Sequence, residues 1–188
     1  MDTLIVGIIV FLGIHLIPTF PKARAKMVKA MGPGKYRATY SLIALFGFVL
    51  IIWGFAQARP APVVWTPPEW SRHVAMLLML PVFVLLVSGR LPGKISALAR
   101  HPMLVAIKLW ALAHLLVNGD VASMTLFGSF LAFAVYDRIS MKRRDAPQAA
   151  AAAFGRNDIL ALLVGLGIYV FMILWAHPFL FGVPVIPR

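Results

Sequence analysis

The sequence contains no cysteine, and this absence removes several kinds of chemistry. Disulfides, iron–sulfur clusters, thiolate zinc sites and cysteine nucleophiles are all excluded. Acidic residues are also scarce. The sequence has six Asp and Glu residues and 18 Lys and Arg residues, which gives a net charge of +12. No carboxylate lies inside a long apolar run, which argues against a proton-relay pump. No G-x-S-x-G, Walker or dinucleotide-binding pattern is present either.

Apolar residues are abundant instead and make up 61% of the 188 residues. A soluble domain of this size does not need that much apolar surface. The sequence therefore predicts an all-α, polytopic membrane helix bundle with about six transmembrane helices, in which residues 1–188 form a single domain. The six apolar runs are residues 3–20, 38–58, 73–88, 103–117, 121–136 and 159–181. An earlier start near Ile95 is an alternative for the fourth run.

The segments between the runs carry turn and interface signals. Residues 59–72 are rich in proline and carry two tryptophans, which excludes a regular helix and favours the headgroup zone. Residues 27–31 are expected to form a short interfacial helix. Asn118-Gly119-Asp120 predicts a tight reversal in which Asp120 caps the next helix. A charged loop is expected from residue 137 to residue 158, with Lys142-Arg143-Arg144 and an alanine run at 149–153.

The basic residues are distributed unevenly between the two sides of the predicted bundle. Of the 18 Lys and Arg, 14 lie in the segments after the first, third and fifth runs. This asymmetry predicts that those segments are cytoplasmic and that both termini are non-cytoplasmic. The expected partner of the basic charge is membrane lipid and not nucleic acid. The N-terminus lacks a basic segment before the first run, so that run is expected to be a retained span.

Two histidines, His15 and His114, lie inside apolar runs, where an imidazole is costly unless it has a partner or a function. Imidazoles on separate helices are suited to holding a haem iron within a bundle. No polar residue lies next to His15 in the sequence. His114 lies one turn after Trp110 and one turn before Asn118, so we expect Asn118 to orient its ring.

The remaining histidines and Lys108 are open to several interpretations. His101 is 13 residues before His114, which places the two about 140° apart around one helix, so they do not readily share a metal. His15 is therefore expected to pair with one of them, at a different depth in the bundle. His73 and His177 are expected to be structural groups at the membrane edge. Lys108 either reaches the surface or contacts a haem propionate or an anionic lipid.

Several segments of the sequence together resemble the NnrU family of bacterial membrane proteins. They are Phe11-Leu12-Gly13-Ile14-His15, Arg100-His101-Pro102, Trp110-Ala111-Leu112-Ala113-His114, Asn118-Gly119-Asp120, Gly128-Ser129-Phe130 and Tyr136-Asp137. The family name refers to nitrite and nitric oxide metabolism. The family is similar to 15-cis-zeta-carotene isomerase, a membrane haem b protein that isomerises a cis double bond in a polyene in a redox-dependent manner.

The resemblance implies a multi-pass protein of the bacterial inner membrane that carries haem b. It implies that His15 and His114 are the iron ligands and catalytic residues, with His101 as a further candidate ligand. Trp110, Asn118 and Lys108 are then expected near the cofactor. The possible functions are isomerisation of a hydrophobic polyene, or a non-catalytic haem role in nitric oxide metabolism or electron transfer with an unidentified redox partner.

A second resemblance points to a different class of enzyme. Arg100-His101-Pro102 is similar to a segment of the membrane methyltransferases that act on isoprenylcysteine and phospholipids and bind S-adenosylmethionine. Those enzymes also carry a paired acidic motif, and this sequence has no adjacent acidic pair. A scaffold protein, in which the histidines only pack, is the remaining alternative.

Overall fold

The computed structural model of the protein describes residues 1–143 and 153–186. These residues form helices and connecting loops, with an isolated bridge between Val63 and Asp120. The helices are α1 (Asp2–Leu16, continued by a 3-10 turn, Ile17–Thr19), α2 (Pro21–Met31), α3 (Pro33–Gln57), α4 (Ser71–Ser88), α5 (Lys94–Ala99), α6 (Pro102–Val117), α7 (Val121–Arg143), α8 (Arg156–Phe171, continued by a π turn, Met172–Ala176) and α9 (His177–Phe181). The predicted all-α fold class is confirmed.

Four helical segments in the described part of the chain are long and apolar enough to cross a membrane. They are Asp2–Thr19, Pro33–Gln57, Ser71–Ser88 and Arg156–Phe181. Helix α6 is apolar but shorter, at 16 residues. The protein is therefore an all-α membrane protein, while the count of six crossings and the position of the termini stay predictions.

The helices differ from the predicted runs mainly at their ends. Helix α2 begins at Pro21, so the basic segment after the first run is a longer helix than residues 27–31. Helix α7 continues to Arg143, so the prediction that Asp137 lies in a loop is wrong. The alternative start near Ile95 is also wrong, because α5 and α6 are separate helices and Arg100 between them has φ 59°. Arg144, residues 149–152 of the alanine run and Arg188 lie outside the described residues.

The chain divides into two compact units, each built from two separate stretches. Unit one contains the described residues of Met1–Pro67 and His114–Asp145, and unit two contains those of Pro68–Ala113 and Ala146–Arg188. The prediction of a single domain is not tested by this division. His15 and His114 both belong to unit one, whereas His101, Lys108 and Trp110 belong to unit two.

In unit one, small residues allow α1 and α3 to pack closely. A Cβ atom on Gly47 would lie 2.7 Å from the backbone nitrogen of Phe11, and one on Gly7 would lie 2.7 Å from that of Ile51. The two helices are antiparallel, because the later residue of α1 meets the earlier residue of α3. Close backbone approach at small residues is a common way for membrane helices to associate. This packing places His15 beside the first half of α3.

In unit two, α4 packs against α8 in a similar way. A Cβ atom on Gly165 would lie 2.6 Å from the backbone of Val84. The Tyr169 hydroxyl donates a hydrogen bond of 2.9 Å to the Met76 carbonyl. The contact satisfies a phenol in the apolar interior of the unit, where an unpaired hydroxyl would be costly.

Asp158 caps two helices of unit two at once, and the prediction that it is a loop residue is wrong. It lies in the first turn of α8 and is only 2% exposed. Its carboxylate accepts the backbone N–H of Gly155 at 3.0 Å, of Lys94 at 3.1 Å and of Ile95 at 2.8 Å. It therefore satisfies free N–H groups at the starts of both α8 and α5.

We expect Asp158→Ala to lower the melting temperature of the detergent-solubilised protein clearly, because three backbone donors lose their acceptor together. Asn157→Ala is the control. Asn157 is the residue next to Asp158, and its side chain donates an exposed hydrogen bond of 2.7 Å to the Pro92 carbonyl. The measurement is a thermal unfolding curve for each variant. Equal melting temperatures for the two variants would contradict this account of the double cap.

Candidate functional site

His15 lies in the last turn of α1 with its ring half-buried and held in one tautomer. Its Nδ1 is 2.6 Å from the Phe11 carbonyl oxygen, one turn earlier in the same helix. A carbonyl oxygen only accepts hydrogen bonds, so Nδ1 must carry the proton. In the neutral ring the lone pair is then on Nε2, which is the arrangement typical of a metal-ligating histidine.

Aromatic rings surround the His15 imidazole. The ring of Phe11 lies 4.3 Å away between centroids, and Tyr40 of α3 approaches edge-on at 5.4 Å. Phe133 of α7 makes a second edge contact at 6.2 Å, with an interplanar angle of 83°. The imidazole therefore lies in an apolar setting built by three helices of unit one.

His114 lies in the last turn of α6 and contacts a different part of α7. Its half-buried ring stacks on Phe127, with centroids 4.5 Å apart and an interplanar angle of 24°. The Asn118 amide nitrogen donates to the backbone carbonyl of His114 at 2.8 Å. This bond caps the end of α6. It is made to the main chain of His114, whereas the sequence led us to expect that Asn118 orients the His114 imidazole.

Aromatic residues of α7 contact the surroundings of both imidazoles within unit one. The ring of Phe11, beside His15, lies 5.6 Å from Phe130 of α7. Phe127, beside His114, is three residues before Phe130 and so lies on the same face of α7. The α7 residues that touch the two imidazoles, Phe127 and Phe133, are about 9 Å apart along the helix. The two rings are thus offset along α7, as the depths of the two runs led us to expect.

The other candidate residues lie in unit two and are placed by local contacts. His101 precedes α6, where its carbonyl accepts the backbone N–H of Val105 at 3.1 Å. Lys108 and Trp110 are half-buried on α6. His73 is exposed in the first turn of α4, and His177 Nδ1 lies 2.8 Å from the Val183 carbonyl. Among the described residues, no group of three or more His, Asp or Glu side chains could hold a bare metal ion.

A comparison with known families now bears on this arrangement. A family model described as NnrU protein matches residues 3–185. The chain belongs to the NnrU family. The match covers nearly the whole chain, so the resemblance found in the sequence is confirmed. A search of curated proteins and a search of solved structures found no match.

At the start of α7, the NnrU-family chain forms a polar cluster that the sequence indicated only in part. Asp120 caps α7 as predicted, because its Oδ1 accepts the Ser123 backbone N–H at 2.9 Å and its Oδ2 accepts the Ser123 hydroxyl at 2.7 Å. Arg59 donates to the Ser123 hydroxyl at 3.1 Å, lies 3.8 Å from the Asp120 carboxylate and covers the Phe55 ring at 4.4 Å. The Phe55 ring in turn lies 6.4 Å from Phe127.

The charge of Asp120 is stabilised by this cluster. Partial burial acts to raise the pKa of the Asp120 carboxyl, but the hydrogen bonds from Ser123 and the charge of Arg59 outweigh it and hold that pKa below its ordinary value. The Asn-Gly-Asp pattern indicated Asp120 in the sequence. Nothing in the sequence indicated that Arg59, 61 positions earlier, would be its partner, because the pairing depends on the packing of unit one.

Proposed function

We propose that this NnrU-family protein is a membrane haem b protein in which His15 and His114 are the axial ligands of the iron. The observation that carries the proposal is the bond between His15 Nδ1 and the Phe11 carbonyl, which leaves the Nε2 lone pair to bind a metal. Both histidines belong to the same unit. Two histidines suffice for a haem iron, because the porphyrin supplies the other four nitrogens.

The residues around the two imidazoles fit an apolar, planar cofactor. Phe11, Tyr40 and Phe133 surround His15, and Phe127 stacks on His114. Phe11 contacts both His15 and Phe130, and Phe130 lies on the same face of α7 as Phe127, so we expect Phe11 and Phe130 to contact the macrocycle. An apolar shell of this kind limits water access and so influences the redox potential.

When bound, haem would supply an iron centre that changes between ferric and ferrous states. The chain's own residues would hold and orient it. His15 would bind the iron with its ring oriented by the bond to the Phe11 carbonyl. His114 would be the second ligand.

The proposal is tested by the absorption spectrum of protein purified after haem-supplemented expression. We expect a Soret band, a pyridine haemochrome of haem b at about one per chain, and sharp visible bands on reduction with dithionite, as for a low-spin centre with two imidazoles. A flat visible spectrum would contradict the proposal. His73→Ala is the control, and its spectrum is expected to equal that of the unmodified protein.

The proposal has a catalytic form, a cis–trans isomerase of a hydrophobic polyene such as zeta-carotene. Its alternative is a haem protein without catalysis that serves nitric oxide chemistry or electron transfer. Incubating reduced and oxidised protein with a cis-polyene separates the two. Formation of the trans product by the reduced form alone supports the isomerase, whereas no product in either state supports the non-catalytic role.

A further inference from the structure

A hollow of about 230 Å³ opens in unit one where the basic helix α2 meets the start of α3. It is lined by Pro18, Arg24, Tyr36, Arg37, Tyr40 and Ser41. The hollow differs from the aromatic surroundings of His15 because its lining residues include two arginines and three residues that carry hydroxyl groups. Tyr40 is the residue that the two regions share.

Tyr36 presents an unusual feature at this hollow. The residue is only 8% exposed, and its hydroxyl is buried without a hydrogen-bond partner among the described residues. A buried hydroxyl without a partner is costly and uncommon in native structures, so each example calls for an explanation. Tyr36 is one of the residues that line the hollow, so an acceptor bound there would supply the missing partner if the buried hydroxyl turns towards it.

The charges around the hollow indicate what kind of acceptor this is. Arg24 and Arg37 are exposed at the hollow, and arginine is well suited to bind phosphate oxygens with two parallel hydrogen bonds. Asp137 of α7 interacts electrostatically with Tyr40 and brings one negative charge to this region among the described residues. Two guanidinium groups against one carboxylate leave a net positive charge.

The position of the hollow favours a lipid headgroup over a soluble anion. It lies at the ends of two apolar helices, Asp2–Thr19 and Pro33–Gln57, that are long enough to cross a membrane. Helix α2 beside it has no buried residue and carries Lys22, Arg24, Lys26 and Lys29. Basic pockets at helix ends of this kind attract anionic lipids.

We propose that the hollow binds the phosphate group of an anionic phospholipid, held by Arg24 and Arg37, with the Tyr36 hydroxyl as a donor to a phosphate oxygen. This assignment does not depend on the proposed haem. Its residues are different from His15 and His114, so each proposal can fail without the other.

The experiment measures the melting temperature of the detergent-solubilised full chain with added phosphatidylglycerol or phosphatidylcholine. We expect phosphatidylglycerol to raise the melting temperature more than phosphatidylcholine does. Arg24→Gln and Arg37→Gln are each expected to weaken phosphatidylglycerol binding about tenfold, as is usual for loss of a charged hydrogen bond. Lys35→Gln is the matched control, because it removes the same charge from α3 at a residue that does not line the hollow.

Tyr36→Phe tests the role of the hydroxyl directly, because the proposal predicts different effects on the melting temperature with and without lipid. Without lipid, removal of an unpaired buried hydroxyl is expected to leave the melting temperature unchanged or to raise it. With phosphatidylglycerol, the lipid-induced shift is expected to be smaller than in the unmodified protein. A variant that loses stability without lipid and keeps the full lipid shift would overturn the role of Tyr36.

Two comparisons decide the ligand, and the His15→Ala variant tests whether the hollow acts independently of haem. Equal shifts with the two lipids would overturn the proposal, and so would a shift by inorganic phosphate equal to that by phosphatidylglycerol. A phosphatidylglycerol shift that persists in His15→Ala would support it and would show that the hollow acts independently of any haem. Loss of that shift in His15→Ala would overturn this independence.

Discussion

His15→Ala is expected to yield a folded protein that no longer carries haem b, so that its Soret band is lost. The reason is that His15 is the imidazole whose Nε2 is made available by a bond from Nδ1 to the Phe11 carbonyl. His114→Ala is expected to keep haem but to shift the spectrum towards a high-spin form, because His15, whose ring is oriented by its bond to Phe11, remains as a ligand. The measurements are the haem content per chain and the reduced and oxidised spectra.

His177→Ala is the matched control for this prediction. Its Nδ1 also bonds a backbone carbonyl, that of Val183 at 2.8 Å, and its ring also lies beside an aromatic residue, Phe181, at 5.0 Å. It belongs to unit two, whereas the two proposed ligands belong to unit one. Full haem content in His15→Ala would show that His15 is not an iron ligand and would favour another ligand, such as His101.

Gly119→Ala is expected to destabilise unit one by about 3 kcal/mol, because the new methyl group meets main chain and not a flexible side chain. A Cβ atom on Gly119 would overlap the Trp65 carbonyl oxygen. The Gly119 carbonyl accepts the N–H of Val64 at 2.7 Å and of Trp65 at 3.3 Å, while Val121 donates to Pro62 at 2.9 Å. The proline-rich segment therefore cannot move away from Gly119 without loss of these bonds.

Gly128→Ala makes the same chemical change in the middle of α7, where a Cβ atom would meet nothing within 4 Å. Alanine is the better helix former, so this variant is expected to gain about 0.5–1 kcal/mol. Thermal or denaturant unfolding in detergent measures both changes. A Gly119→Ala protein as stable as the unmodified one would show that the contact with residues 62–65 is not maintained.

The sequence carries much of the local structure and points to several of the residues discussed above. Hydropathy located the cores of α1, α3, α4, α6, α7 and α8, and the Asn-Gly-Asp pattern located the Asp120 cap, because both signals act within one or two helical turns. Hydropathy was less informative at helix ends. Charged residues such as Asp137 continue α7 although they are polar, so the sequence placed them in a loop.

By itself the sequence determined the fold class, the family and the two imidazoles that need an explanation, because apolar length, composition and motif spacing are properties of the linear chain. Only the tertiary structure decided that Asp158 caps α5 as well as α8, that Arg59 meets Asp120, and that the Tyr36 hydroxyl has no partner among the described residues. The two contacts join segments that are far apart in the sequence. These features depend on how the chain packs, and the residue pattern of one helix does not show which other segment packs against it.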